Sequence, residues 1–203
     1  MNSTRRTFIG GTMASLCCGH SVARASEPVA PNDMKIICGL QHQPLIKHVK
    51  NMRDPHPDAK RVIHWVTDQI GVRPAFDIIE ADFERQYIAI AATRGSTRYI
   101  IYDAKWFPFN KDAIGWYTIW VLAHEIGHHI HGHTIGFEPD SHRGELDADR
   151  FGGWVVARLG GRLEQALTFM PYLSKAAGKT HPSRVRRIEA AYQGWMAGNR
   201  LKR

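Results

Sequence analysis

The sequence predicts an α+β fold: a small antiparallel β-sheet followed by a helical bundle. Three observations predict it. Short β-rich segments cluster between residues 76 and 102. From about Ala113 onward, apolar residues recur at helical spacing, with caps and breakers at the joints. Apolar residues make up 43% and charged residues 23% of 203 positions, which is enough material for one hydrophobic core and excludes a disordered chain. No run approaches the ~18–20 apolar residues needed to span a bilayer, so no transmembrane segment is expected.

The first 25 residues read as an address. Arg5 and Arg6 precede an apolar stretch from Phe8 to Ala23, and Ala23-Arg24-Ala25 supplies the small-x-small site of a signal peptidase. That order is the order of a twin-arginine export signal. Residues 26–203 would then form one periplasmic or secreted domain. Cleavage removes three arginines and no acid, lowering the net charge from +8 to +5. Cys38 would be the one cysteine left, so no internal disulfide is expected. Ser26 to Asp33, with Pro28 and Pro31, reads as a loose leader.

Pro57 to Ile70 sets Val62, Ile63, Val66 and Ile70 at helix spacing, with Pro57 at the start and Gly71 just past the end. Phe76 to Ile79, Tyr87 to Ala91 and Thr97 to Tyr102 read as strands, with Arg94-Gly95-Ser96 as a hairpin turn between the last two. Asp112 is placed to cap a helix from about Ala113 to His131. Its first two-thirds are apolar nearly all round, so it should run through the core. Further helices are expected over about Arg143 to Leu159, over Leu163 to Ala177 with an interruption at Pro171, and from Pro182 as first helical residue to about Gly198.

Five of the twelve histidines fall between His124 and His133. His124-Glu125-Ile126-Gly127-His128 is an HExxH motif on the helix expected to be buried. Residues i and i+4 lie one turn apart on one face, so both imidazoles can reach a single zinc ion. Glu125 sits about 100° round the helix, suited to a water on the metal rather than to the metal. A catalytic zinc takes a third protein ligand and keeps a fourth position open. The metzincin pattern fails, because its downstream Gly and His positions hold His131 and Thr134. His133 is one residue out of register, and His131 lies roughly 10 Å along the axis from His124, too far to share a metal. Glu145 and Asp149 are again i and i+4, so a second helix can present both. One carboxylate would bind zinc and the other would accept the ring N–H of a ligand histidine. His129, His131 and His133 receive no role: they fit either a second, weaker metal or the polar end of the helix.

His124 to His128, Glu145 to Asp149 and His181-Pro182-Ser183-Arg184-Val185-Arg186-Arg187-Ile188 together resemble the HtpX and CAAX-endoprotease type of gluzincin, peptidase family M-48, over about residues 97–188. The resemblance implies a zincin-like fold with one Zn2+ per chain held by His124, His128 and Glu145. It implies Glu125 as the general base and Asp149 as the residue that orients a ligand histidine. It places His181 and Arg187 along the cleft, where they help hold a substrate carbonyl or carboxylate. Two departures matter: many members carry transmembrane helices, and they have a longer stretch between the second histidine and the glutamate. A small soluble enzyme is implied.

The expected function is zinc-dependent hydrolysis of peptide bonds in envelope or unfolded proteins. His181, Tyr102 or Tyr117 would face the oxyanion, and an edge strand, Tyr87 to Ala92 or Arg98 to Tyr102, would hold the polypeptide substrate. The alternative is a non-catalytic zinc-binding module, an envelope chaperone or docking domain. Nucleic acid is not expected as a partner. The basic end, Arg184, Arg186, Arg187, Arg200, Lys202 and Arg203, would meet solvent or make peripheral contact with an anionic membrane surface.

Overall fold

The structure is a computed structural model that describes residues 34–36, 49–73, 75–84, 87–107, 114–133 and 141–201. The expected export signal, the leader, Cys38 and the Asp112 cap lie outside the described residues.

Among the described residues, five strands form one sheet: β1 (Lys35–Ile36), β2 (Val49–Arg53), β3 (Asp77–Phe83), β4 (Ala89–Arg94) and β5 (Thr97–Asp103), in the order β1-β4-β5-β3-β2. The sheet was expected to be antiparallel. It is mixed, because β3 and β5 run parallel, with Asp77 opposite Tyr99 and Ala81 opposite Asp103. The cause is the order of the strands. β4 and β5 form a tight hairpin through Gly95, whose φ of 58° suits glycine. That hairpin inserts β5 between β3 and β4, so these two strands, consecutive in sequence, are not neighbours in the sheet.

The sequence reading missed β2, which carries a weak alternation, a register shift between Lys50 and Arg53, and Asn51 at φ 51°. It is pinned instead by polar bonds. Asn51 Nδ2 donates to Asp82 at 2.8 Å, and Arg53 Nε donates to Glu80 at 2.7 Å. Charges and a bulge are common on a sheet edge, where they discourage pairing with other chains.

Alternation along β5 divides the core. Ile100 and Tyr102 join the larger apolar cluster, shared with the helices, while Tyr99 and Ile101 join a smaller cluster made with Met34, Val49, Phe83 and Ile90. Helix α1 (Pro57–Ile70) packs Ala59, Val62, Ile63 and Val66 into the larger cluster and ends at Gly71, in the left-handed conformation with φ 69°. Helix α2 (Trp116–Ile130) is buried at every position from Thr118 to His129, as its all-round apolarity requires. It begins at Gly115, without a side-chain cap, later than the expected start at Ala113.

Helix α3 (Ser141–Arg158) follows, then α4 (Leu163–Ala166), a 3-10 turn at Met170–Tyr172, and α5 (Arg184–Arg200). The long helix expected through Ala177 does not form. Pro171 has no N–H to donate, and its ring would clash with the carbonyl four residues back. Pro182 is not helical either: Ser183, with extended φ and ψ, is the N-cap of α5. α3 and α5 approach backbone to backbone. A Cβ on Gly153 would run into the Ala191 carbonyl, and one on Gly194 into the Arg150 carbonyl. Among the described residues, no helix is long and apolar enough to cross a membrane.

Candidate metal centre

Three helices converge on one buried cluster. α2 supplies His124 and His128 from successive turns of one face, α3 supplies Glu145 and Asp149 from another such pair, and α5 supplies Arg187. All five side chains are buried. α2 and α3 cross closely at Gly127, where a Cβ would stand 3.0 Å from the Ala148 Cα. That contact brings the two faces together.

The donor atoms fit one small ion. His124 Nε2 and His128 Nε2 lie 3.2 Å apart, Glu145 Oε2 is 3.5 Å from the first, and Glu145 Oε1 is 3.6 Å from the second. Two ligands about 2.0–2.1 Å from a tetrahedral zinc would stand roughly 3.3–3.4 Å apart. His124, His128 and Glu145 could therefore hold a metal ion, and among the described residues they are the set whose donors converge in this way.

The surroundings set the charge of each group. His124 Nδ1 is 3.0 Å from Asp149 Oδ1. Burial pulls the His124 pKa down, but hydrogen bonding to Asp149 and Glu145 outweighs it and lifts it to about 9. Burial and then the His124 charge hold His128 well below its ordinary value. Burial would raise the Glu145 pKa, yet His124, Arg187 and His128 together hold it far below the usual carboxylate range. Glu145 is thus ionised, as a metal ligand must be. Arg187 holds both carboxylates. Its Nε and Nη2 donate to the two oxygens of Asp149 at 2.7 Å each, and Nη2 is 3.1 Å from Glu145 Oε2.

The cluster opens onto a cavity of about 160 Å³. Glu125, His181 and Arg187 border it beside the donor residues His124 and Glu145. Tyr87, Ile88, Ala89 and Ile90 form one wall, and Trp120, Phe169 and Leu173 form an apolar one. Trp120 stacks on both His124 and Phe169.

Each catalytic, metal-binding and cleft residue expected from the sequence lies among the described residues. His124, Glu125, His128, Glu145 and Asp149 come together. His181 joins them, its Nε2 3.8 Å from Glu145 Oε1 and its Nδ1 3.0 Å from the Thr180 hydroxyl; burial lowers its pKa. Arg187 was expected on substrate, but its guanidinium is turned to Asp149 and Glu145. The tyrosines stand elsewhere. Tyr102 is fully buried and donates to Glu80 at 2.6 Å, and Tyr117 packs against Phe169 and Tyr172, so neither borders the cavity. Arg98 to Tyr102 belongs to β5, an interior strand, and cannot serve as an edge.

The remaining histidines take distinct roles at the end of α2. His129 stacks on Phe76 and donates from Nε2 to the Tyr99 carbonyl at 2.9 Å, and burial drops its pKa to about 4. His131 donates from Nδ1 to the Gly127 carbonyl at 2.8 Å, closing the helix end. His133 lies against His128. Phe169 and Leu173 were missed, because the sequence reading set them in one long helix, where helical spacing does not tell a cavity wall from a core face. Set against known proteins, the chain matches no family model, no curated sequence and no solved structure, so the reading of the site rests on its own geometry.

Proposed function

We propose that the protein is a zinc-dependent metalloendopeptidase with a zincin-like fold, exported by the twin-arginine route to the periplasm or beyond, where it cleaves envelope or unfolded proteins. The observation that carries this reading is the position of Glu125. It borders the same cavity as His124 and Glu145, which Tyr87 to Ile90 also line. β4 lies between β1 and β5 and so is not the edge strand expected over Tyr87 to Ala92, but Tyr87 to Ile90 border the cavity and are the backbone we assign to face an extended substrate.

A zinc ion held by His124, His128 and Glu145 would polarise the scissile carbonyl and lower the pKa of the attacking water. Glu125 accepts a proton from that water as its oxygen bonds to the carbonyl carbon. It then returns the proton to the amine nitrogen as the C–N bond breaks. His181, on the cavity wall, faces the oxygen that gains charge. Asp149 holds the His124 ring, and Arg187 holds Asp149. The apolar wall of Trp120, Phe169 and Leu173 limits access of water to the reacting bond.

The test compares purified wild type with Glu125→Gln for zinc content and for chelator-sensitive cleavage of an unfolded protein. We expect about one zinc in each, with turnover reduced roughly 10²–10⁴-fold in the variant. Equal turnover overturns the mechanism. Zinc in both and cleavage in neither would instead make the protein a non-catalytic zinc-binding chaperone or docking module.

A further inference from the structure

His133 takes no part in the chemistry above, yet its ring lies against a ligand histidine. In an unbroken helix a residue five positions on lies about 140° round the axis. α2 does not continue that far. Gly132 turns left-handed at φ 74°, and the His133 N–H donates to the His128 carbonyl at 3.1 Å. That bond, from the second residue past the cap back to the last turn, is the signature of a Schellman close. It folds His133 back beside His128, with ring centroids 5.3 Å apart and the two Nδ1 atoms 3.1 Å apart. The ring sits over Gly144 of α3, where a Cβ would stand 3.6 Å from Nδ1. Its Nε2 is 3.8 Å from Asp147 Oδ2.

The tautomers follow from this arrangement. His128 turns Nε2 toward His124 and Glu145, so in a neutral ligand imidazole Nδ1 carries the hydrogen. The facing Nδ1 of His133 must then accept, which places the His133 hydrogen on Nε2, on the side of Asp147.

We propose that His133 is a positioning residue for the metal centre: it accepts the Nδ1–H of His128 and so fixes the tautomer and aim of that ligand. The inference rests on the metal-binding reading above. The two ligand histidines are held by different means. His124 is held by a buried carboxylate one turn along α3. His128 is held by a neutral ring that the helix's own closing turn delivers. The arrangement leaves a short signature, His-x-x-x-Gly-His, in which the glycine makes the turn and the last histidine makes the bond.

The test measures zinc affinity of the full chain by competition with a chromophoric chelator, in wild type, His133→Phe, His133→Ala and His133→Asn. Phe keeps a ring over Gly144 without an acceptor. Asn can set its Oδ1 near the place of Nδ1. We expect Phe and Ala to weaken zinc binding about 10–100-fold and Asn to recover most of the loss, with similar metal-free unfolding midpoints for Phe and Asn. Wild-type affinity in His133→Phe overturns the inference, and so does an equal loss in Phe and Asn. A wild-type chain that binds no zinc overturns the metal reading itself, so the two failures are distinguishable.

Discussion

Arg187 on α5 grips Asp149 on α3 through two parallel bonds of 2.7 Å, with both side chains buried. The same guanidinium reaches Glu145 at 3.1 Å, so one cation faces two carboxylates at the candidate metal centre. Removing one partner of a buried pair leaves an uncompensated charge, which costs about 3–5 kcal/mol. Arg187→Ala should lose about that much stability in urea unfolding with chelator present. Arg187→Lys should recover little, because an ammonium cannot make the two-pronged bond. A loss within ~0.5 kcal/mol of zero for Arg187→Ala would show that the pair does not hold α5 to α3.

An ion that binds only the folded chain adds stability by mass action. At free zinc one hundred times the dissociation constant the gain is about 2.7 kcal/mol, which for a domain of this size raises the midpoint by roughly 5–10 °C. Glu145→Gln should abolish the shift while keeping the side-chain volume. Calorimetry with and without zinc reads both forms, and an undiminished shift in the variant would place the ion elsewhere on the chain.

The edge of the sheet should respond to acid. Glu80 accepts from the Tyr102 hydroxyl at 2.6 Å and from Arg53 Nε at 2.7 Å. Burial works to raise its pKa, but the bonds from Tyr102 and Arg53 win and hold it below its ordinary value. The unfolded chain therefore binds this proton more readily than the folded one. The stability it contributes is fully present above the unfolded value, near pH 4.5, and is lost as pH falls through the lower folded value. Glu80→Gln should be less stable than wild type at about pH 7, with the gap closing toward about pH 3. A gap that stays constant in urea titrations across that range would remove this residue from the acid response.

The α3–α5 contact gives a prediction with its own control. A methyl on Gly194 has nowhere to go, because what it meets is the Arg150 backbone rather than a movable side chain. Gly194→Ala should cost about 1–3 kcal/mol or more and weaken zinc binding too, since it pushes Arg187 away from Asp149. A methyl on Gly178 would meet nothing within 4 Å, and Gly178→Ala should change neither quantity. Equal behaviour of the two variants would show that α3 and α5 can slide apart at no cost to the site.

What the sequence made legible was local. Pro57 and Gly71 bracket α1 because a missing N–H and a positive φ are properties of single residues. His124 with His128, and Glu145 with Asp149, share faces because a helix turn fixes the spacing. The parallel pairing of β3 with β5 was not legible, since it depends on where a hairpin inserts, a choice made by packing far along the chain. Arg187 was placed at the site by its motif but assigned to substrate, because a motif does not say which way a long side chain turns. Nor did the sequence show that α4 would stop at Ala166, with Pro171 held in a separate 3-10 turn. His133 was set aside as one residue out of register with the metzincin pattern and given no role, because a sequence pattern does not show that the chain turns back at Gly132.

The close approach of α3 and α5 also divides the site by stiffness. Glu145, Asp149 and Arg187 ride on two helices whose backbones touch, so their amides should be among the last to exchange with heavy water, near the rate of global opening. His181 rides on the irregular, largely exposed segment before α5, where residues 174–179 are all exposed and amides should exchange far sooner. One wall of the cavity can then breathe while the floor stays fixed, so that under the proposed function an extended chain would enter and leave without loosening the grip on the ion.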